Sequence, residues 1–101
     1  MKIVFTERAR QQFERRFEYS VEHFGKRVAE RTFARVDKYI HGSLAAHPDK
    51  AGTHHPIRDF YEAWVPPTPF FVIYRFDPAA QFITILGIYH HAQDRSNLDP
   101  D

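Results

Sequence analysis

The chain has 101 residues and a mass of 12.0 kDa, enough for one helix-and-sheet core and too little for two. Hydrophobic residues make up 43% and aromatics 16%, which marks a folded chain, while 14 Lys and Arg against 13 Asp and Glu leave a net charge of +1, weak support for a nucleic-acid binder that works by bulk charge, with a local patch left open. With no Cys, neither disulfides nor thiolate metal sites can hold the fold, and a reducing cytoplasm is the expected location.

No stretch has the length and apolarity of a signal h-region or a membrane span, so no membrane partner is expected. Ile3, Val4 and Phe5 form a short apolar run that suits an edge strand. Thr6 then offers a helix N-cap, with Glu7 in the first turn. Ala9, Phe13, Phe17, Val21 and Phe24 follow at steps of four, four, four and three, predicting an amphipathic helix that ends near Gly25. From Lys26 the period resumes through Ala29, Phe33, Val36, Ile40 and Leu44. A second helix is expected there, losing regularity at Gly42 and stopped by Pro48. The short link at Gly25 makes the two helices antiparallel neighbours.

His47 to Pro56 is polar and carries both Gly and Pro, which predicts a loop. The alternation from Ile57 to Val65 predicts a strand carrying Arg58 and Trp64, and Pro66, Pro67 and Pro69 predict a stiff connector after it. Residues 70–76 and 82–91 are rich in β-branched and aromatic side chains and flank the turn Asp77-Pro78-Ala79-Ala80-Gln81. They predict the central hairpin of the sheet. Strict alternation places Val72, Tyr74 and Phe76 on one face, and sets Ile83, Ile85 and Gly87 against Leu86 and Ile88 on the second strand. The polar end, Tyr89-His90-His91-Ala92-Gln93-Asp94-Arg95, is the first place to look for function, and residues 96–101 read as a flexible polar tail. The fold class is therefore α+β: an N-terminal strand, an antiparallel helical hairpin, then a three-stranded antiparallel sheet, in one domain over residues 1–95.

The order of these elements, with Ile3-Val4-Phe5-Thr6 and Ala9, Pro48 and Gly52, Arg58, Ile73-Tyr74-Arg75, Ile83 to Ile88, His90 and Asp94-Arg95, resembles the RelE/ParE superfamily of bacterial toxins over residues 2–95. The resemblance implies a type II toxin, of the kind also called plasmid stabilisation proteins, neutralised by a cognate antitoxin protein and needing no cofactor. Two activities exist in that superfamily: ParE-like members inhibit DNA gyrase by binding, and RelE-like members are ribosome-dependent mRNA endoribonucleases. The ending His90-His91-Ala92-Gln93-Asp94 is similar to the His-Gly-x-x-Asp ending of ParE-like chains, with His91 in place of Gly. An inactive interaction module of the same fold is the third reading, and a homodimer or a toxin–antitoxin hetero-oligomer the expected assembly.

RNA cleavage needs a general base, cations at the phosphorane and an acid for the leaving oxygen. The nuclease reading assigns His90 or His91 as base and Arg58 and Arg75 as phosphate clamps. No Lys follows Lys50, so a basic cradle on the strands is poorly supplied. The binding reading assigns Arg58, Trp64, Arg75, Tyr89, His90, Asp94 and Arg95 to a target or antitoxin surface, with Trp64 and the proline connector as a docking edge. Each also has a structural role open to it: Arg75 as an ion pair to Asp59 or Glu62, Tyr74 and Tyr89 as core residues, Asp94-Arg95 as a turn or cap. His41, His47, His54 and His55 cluster around the loop without ligand-like spacing, so no metal site is expected.

Overall fold

The computed structural model describes residues 1–92. Asp94, Arg95, the tail 96–101 and the end of the 1–95 domain lie outside the described residues. Strand β1 (Lys2–Phe5) runs into helix α1 (Glu7–Phe24), whose N-cap is Thr6: its Oγ1 accepts the Ala9 N–H at 3.0 Å. Gly25 stands at φ 91°, a conformation that side chains with a Cβ avoid, and its N–H closes α1 on the Val21 carbonyl at 2.9 Å. It is also the residue before α2 (Lys26–Tyr39), so one glycine turns the chain between two antiparallel helices.

The irregularity expected at Gly42 is a π-turn over Ile40–Leu44. It keeps both Ile40 and Leu44 fully buried. The segment expected to be a plain loop from His47 to Pro56 instead holds a one-turn helix, α3 (Pro48–Ala51), and a two-residue strand, β2 (Thr53–His54). Pro48 suits the first helical turn, where its missing N–H costs nothing. Two tyrosines hold α3 down: the Tyr39 hydroxyl donates to the Ala51 carbonyl at 3.3 Å and the Tyr74 hydroxyl to the Pro48 carbonyl at 2.6 Å. Gly52 is needed beside them, because a Cβ there would meet the Glu62 carbonyl oxygen at 2.5 Å and the Tyr74 hydroxyl at 2.8 Å.

The strand expected from Ile57 is shorter: β3 is Tyr61–Trp64. Residues 55–60 form a loop because the His55 Nδ1 accepts the Ile57 and Arg58 N–H groups, at 3.2 and 3.0 Å, taking them away from any ladder. Arg58 therefore sits on a loop, not on a strand. Strands β4 (Phe70–Asp77) and β5 (Phe82–His90) follow, joined by a turn in which Asp77 Oδ1 accepts the Ala79 and Ala80 N–H groups. The sheet has five strands in the order β1-β5-β4-β3-β2, with the β4–β5 hairpin at its centre. It is mostly antiparallel. One pair, β1 with β5, is parallel, with Ile3 beside Ile83 and Phe5 beside Ile85.

The helices cover one sheet face. There Ala9, Val36, Ile40 and Leu44 pack on Val72, Tyr74, Ile83, Ile85 and Ile88, and Phe5, Phe13, Phe33 and Phe70 run along the layer in successive ring contacts of 5.3–6.5 Å. A smaller cluster of Phe60, Ile73, Leu86 and Tyr89 forms on the opposite face.

Strict alternation fails in β5. The register passes from Tyr74 opposite Ile85 to Ile73 opposite Gly87, leaving Leu86 as an extra residue. The bulge reverses every side chain after it, so Ile88 lies on the helix face and not with Leu86. The Ile88 N–H at the bulge donates to Gln12 Oε1 of α1 at 3.0 Å. A Cβ at position 87 would press on that same oxygen and displace the Gln12 side chain from its bond with the bulge.

Candidate functional site

The bulge decides which polar residues meet. Tyr89 faces away from the helices, its ring stacked on Phe71 at 5.2 Å and 7°, its hydroxyl donating to Glu62 Oε2 at 2.5 Å. Trp64 and Arg75 share that face, since Trp64 pairs with Phe71 and Arg75 with Thr84 across the ladder. Trp64 is 50% exposed and its Nε1–H donates to the Thr68 carbonyl at 2.7 Å. Arg75 meets Asp59 through the backbone: its Nε–H donates to the Asp59 carbonyl at 2.5 Å. Arg58 lies on the loop of residues 55–60, whose Phe60 is buried on the same face.

His90 goes the other way. Its ring meets Phe70 edge-on at 5.6 Å and stacks with His91 at 4.6 Å, and its Nδ1 accepts the Ala92 N–H at 3.1 Å. Burial holds its pKa below the ordinary 6.5, and neighbouring His91 and Arg16 push in the same direction, so the ring is neutral at pH 7. His91 is exposed, with its N–H on the Pro69 carbonyl at 2.9 Å.

His90 opens into a cleft of about 520 Å³ at the tip of the helical hairpin. Its walls are Tyr19 and Phe24 of α1, Val28 of α2 and Phe70 of β4, with Arg16 as the cation inside it. Tyr19, Phe24 and Val28 are 53%, 65% and 41% exposed, unusual for large apolar side chains grouped together. The sequence reading missed this cleft because Phe24 looks like the last core position of α1. The signal was there in Val28, which falls off the α2 core stripe yet is apolar.

The expected site residues therefore divide between two surfaces. Arg75, Trp64 and Tyr89 share the open sheet face, and His90 lies on the helix side with Arg16. Among the described residues no three His, Asp or Glu side chains gather as metal ligands, and no helix is long and apolar enough to cross a membrane.

Comparison with known proteins gives this arrangement a family. The family model of the ParE toxin of the type II toxin–antitoxin system parDE matches residues 3–95. The chain belongs to the ParE toxin family. It is the toxin component of a type II toxin–antitoxin system. Its fold is shared with the chromosomal ParDE system of P. aeruginosa, at a TM-score of 0.75 and 17% identity over 89% of this chain and 95% of that one. The RelBE2 toxin–antitoxin complex of Mycobacterium tuberculosis matches at a TM-score of 0.63 and 20% identity, over 88% of this chain and 95% of that one. The intact E. coli RelBE complex matches at 0.56 and 14% identity, over 92% and 98%. No curated protein sequence matches.

Proposed function

We propose that this ParE-family toxin acts in the bacterial cytoplasm by binding and inhibiting a protein target, DNA gyrase, rather than by cutting RNA. The observation that carries the reading is the split of the would-be catalytic set: His90 faces the helix side while Arg75 faces the open side of the sheet. A general base and a phosphate clamp must reach one phosphodiester together. Tyr89, which shares the Arg75 face, is buried and its hydroxyl is bonded to Glu62. What that face does offer is a half-exposed indole, a stacked Phe71 and a guanidinium, the side-chain types enriched at the centres of protein interfaces.

A cognate antitoxin is the second partner, and the cleft by His90 is the surface proposed for it. Apolar walls with Arg16 inside suit an amphipathic segment that brings a carboxylate. The gyrase reading is tested by adding the purified chain to a supercoiling reaction and, separately, to a translating extract with its messages monitored. Inhibited supercoiling with intact messages is the expected result; cleaved messages with supercoiling untouched would assign the nuclease activity instead.

A further inference from the structure

α1 and α2 each carry a second period on the side turned away from the sheet. On α1, Glu14, Glu18 and Glu22 recur every four residues; on α2, Arg27, Arg31, Arg35 and Lys38 recur at four, four and three. All seven are exposed. At about 100° per residue, Glu18 stands opposite buried Ala9 on α1 and Lys38 stands opposite buried Ala29 on α2. The two acids of α2 lie on its flank and are engaged elsewhere, Glu30 with Lys26 Nζ at 3.9 Å and Asp37 with His41 Nδ1 at 3.3 Å. Among the described residues, none of the seven stripe residues is in an ion pair.

Like charges spaced by four residues disfavour a single helix, a cost that Arg10 and Arg15 offset in part on α1, where they stand four and three residues before Glu14 and Glu18 and Arg15 is exposed beside the stripe. The registry between the stripes is informative. The hairpin turns at Gly25, so positions equally far from it stand at equal height on the two helices. Glu22 and Arg27 are three and two residues away, Glu18 and Arg31 seven and six, Glu14 and Arg35 eleven and ten. The offset is one residue, about 1.5 Å, at every step. Within one chain, among the described residues, no ion pair joins the two stripes. A two-fold axis parallel to the helices and just above them lays α1 of one copy on α2 of the other and brings all three steps into register at once.

We propose that the outer face of the α1–α2 hairpin is a docking surface for a second copy of this chain, with Glu14, Glu18 and Glu22 of each copy against Arg27, Arg31 and Arg35 of the other. The contact is charged and solvent-facing, so it is weak, fast and strongly salt-dependent.

Sedimentation of the full chain at high protein concentration tests it. The wild type is expected at twice the 12.0 kDa chain mass in low salt and as a monomer at about 0.5 M NaCl. The triple variants E14R/E18R/E22R and R27E/R31E/R35E are each expected to stay monomeric in low salt, with helical circular dichroism retained. An equimolar mixture of the two should recover the dimer, because each variant's paired stripes are complementary only to the other's. A monomeric wild type in low salt would overturn the proposal, and should a variant not fold, this measurement alone decides. So would a mixture that stays monomeric. If the wild type is monomeric and R27E/R31E/R35E loses binding to antitoxin or nucleic acid, the basic stripe serves that acidic partner instead.

Discussion

Gln12 shows how one polar side chain can fix the facing of several residues. Its Oε1 accepts the Ile88 N–H, a bond between α1 and β5 that holds the bulge where Tyr89 turns to the open face and His90 to the cleft. Gln12→Ala should cost about 1–3 kcal/mol, the penalty for an orphaned, nearly buried donor, read as a drop in the urea midpoint. Tyr74 makes a pH prediction. Burial, with smaller contributions from Tyr39 and other neighbours, raises its pKa above the ordinary 10.0. The folded chain thus holds this proton more tightly than the unfolded one; the contribution is complete below pH 10 and is lost as pH rises past it. Tyr74→Phe should cost about 1–3 kcal/mol at neutral pH by stranding the Pro48 carbonyl. The gap between wild type and variant should narrow near pH 11, and a constant gap in urea melts would contradict the assignment.

At the scale of elements, the two glycines of the helical layer have opposite roles. Gly25 needs its positive φ to turn the hairpin, so Gly25→Ala should destabilise by about 1 kcal/mol or more. Gly42 lies in the π-turn with open space where a Cβ would go and no positive φ, so Gly42→Ala should stabilise by about 0.4–1 kcal/mol. Thermal melts of the two variants read both signs. The elements themselves were legible to different degrees. Helical spacing through Phe13, Phe17 and Phe24, and through Phe33 and Val36, showed both long helices, and the β-branched runs showed the central hairpin. The start of β3 was hidden because Ile57-Arg58-Asp59 alternates like a strand, while the competing bond partner, the His55 ring, is a neighbour that periodicity does not weigh. The bulge was hidden for a related reason. Leu86 and Ile88 are both apolar and fit either face, so only the contact with Gln12, 76 residues away, distinguishes the two registers.

Across the whole molecule, the family could be read from the order of elements, because that order is set by local patterns. The division of the polar residues between two surfaces could not, because it depends on a long-range register. The cleft at the hairpin tip ties the two scales together: it needs α1, α2 and β4 assembled before it exists. Phe24→Asp should leave the fold intact, since that side chain is 65% exposed, yet weaken capture by the cognate antitoxin at least tenfold, the equivalent of about 1.4 kcal/mol. Unchanged affinity by titration calorimetry would move the antitoxin to another face.

The parallel pairing of β1 with β5 also has a temporal meaning. Among the described residues the ladder partner of β1 is β5, some eighty residues further along the chain, so residues 2–5 cannot pair until residues 82–90 have been made. The β1 edge of the described sheet therefore closes after the β4–β5 hairpin and not before it.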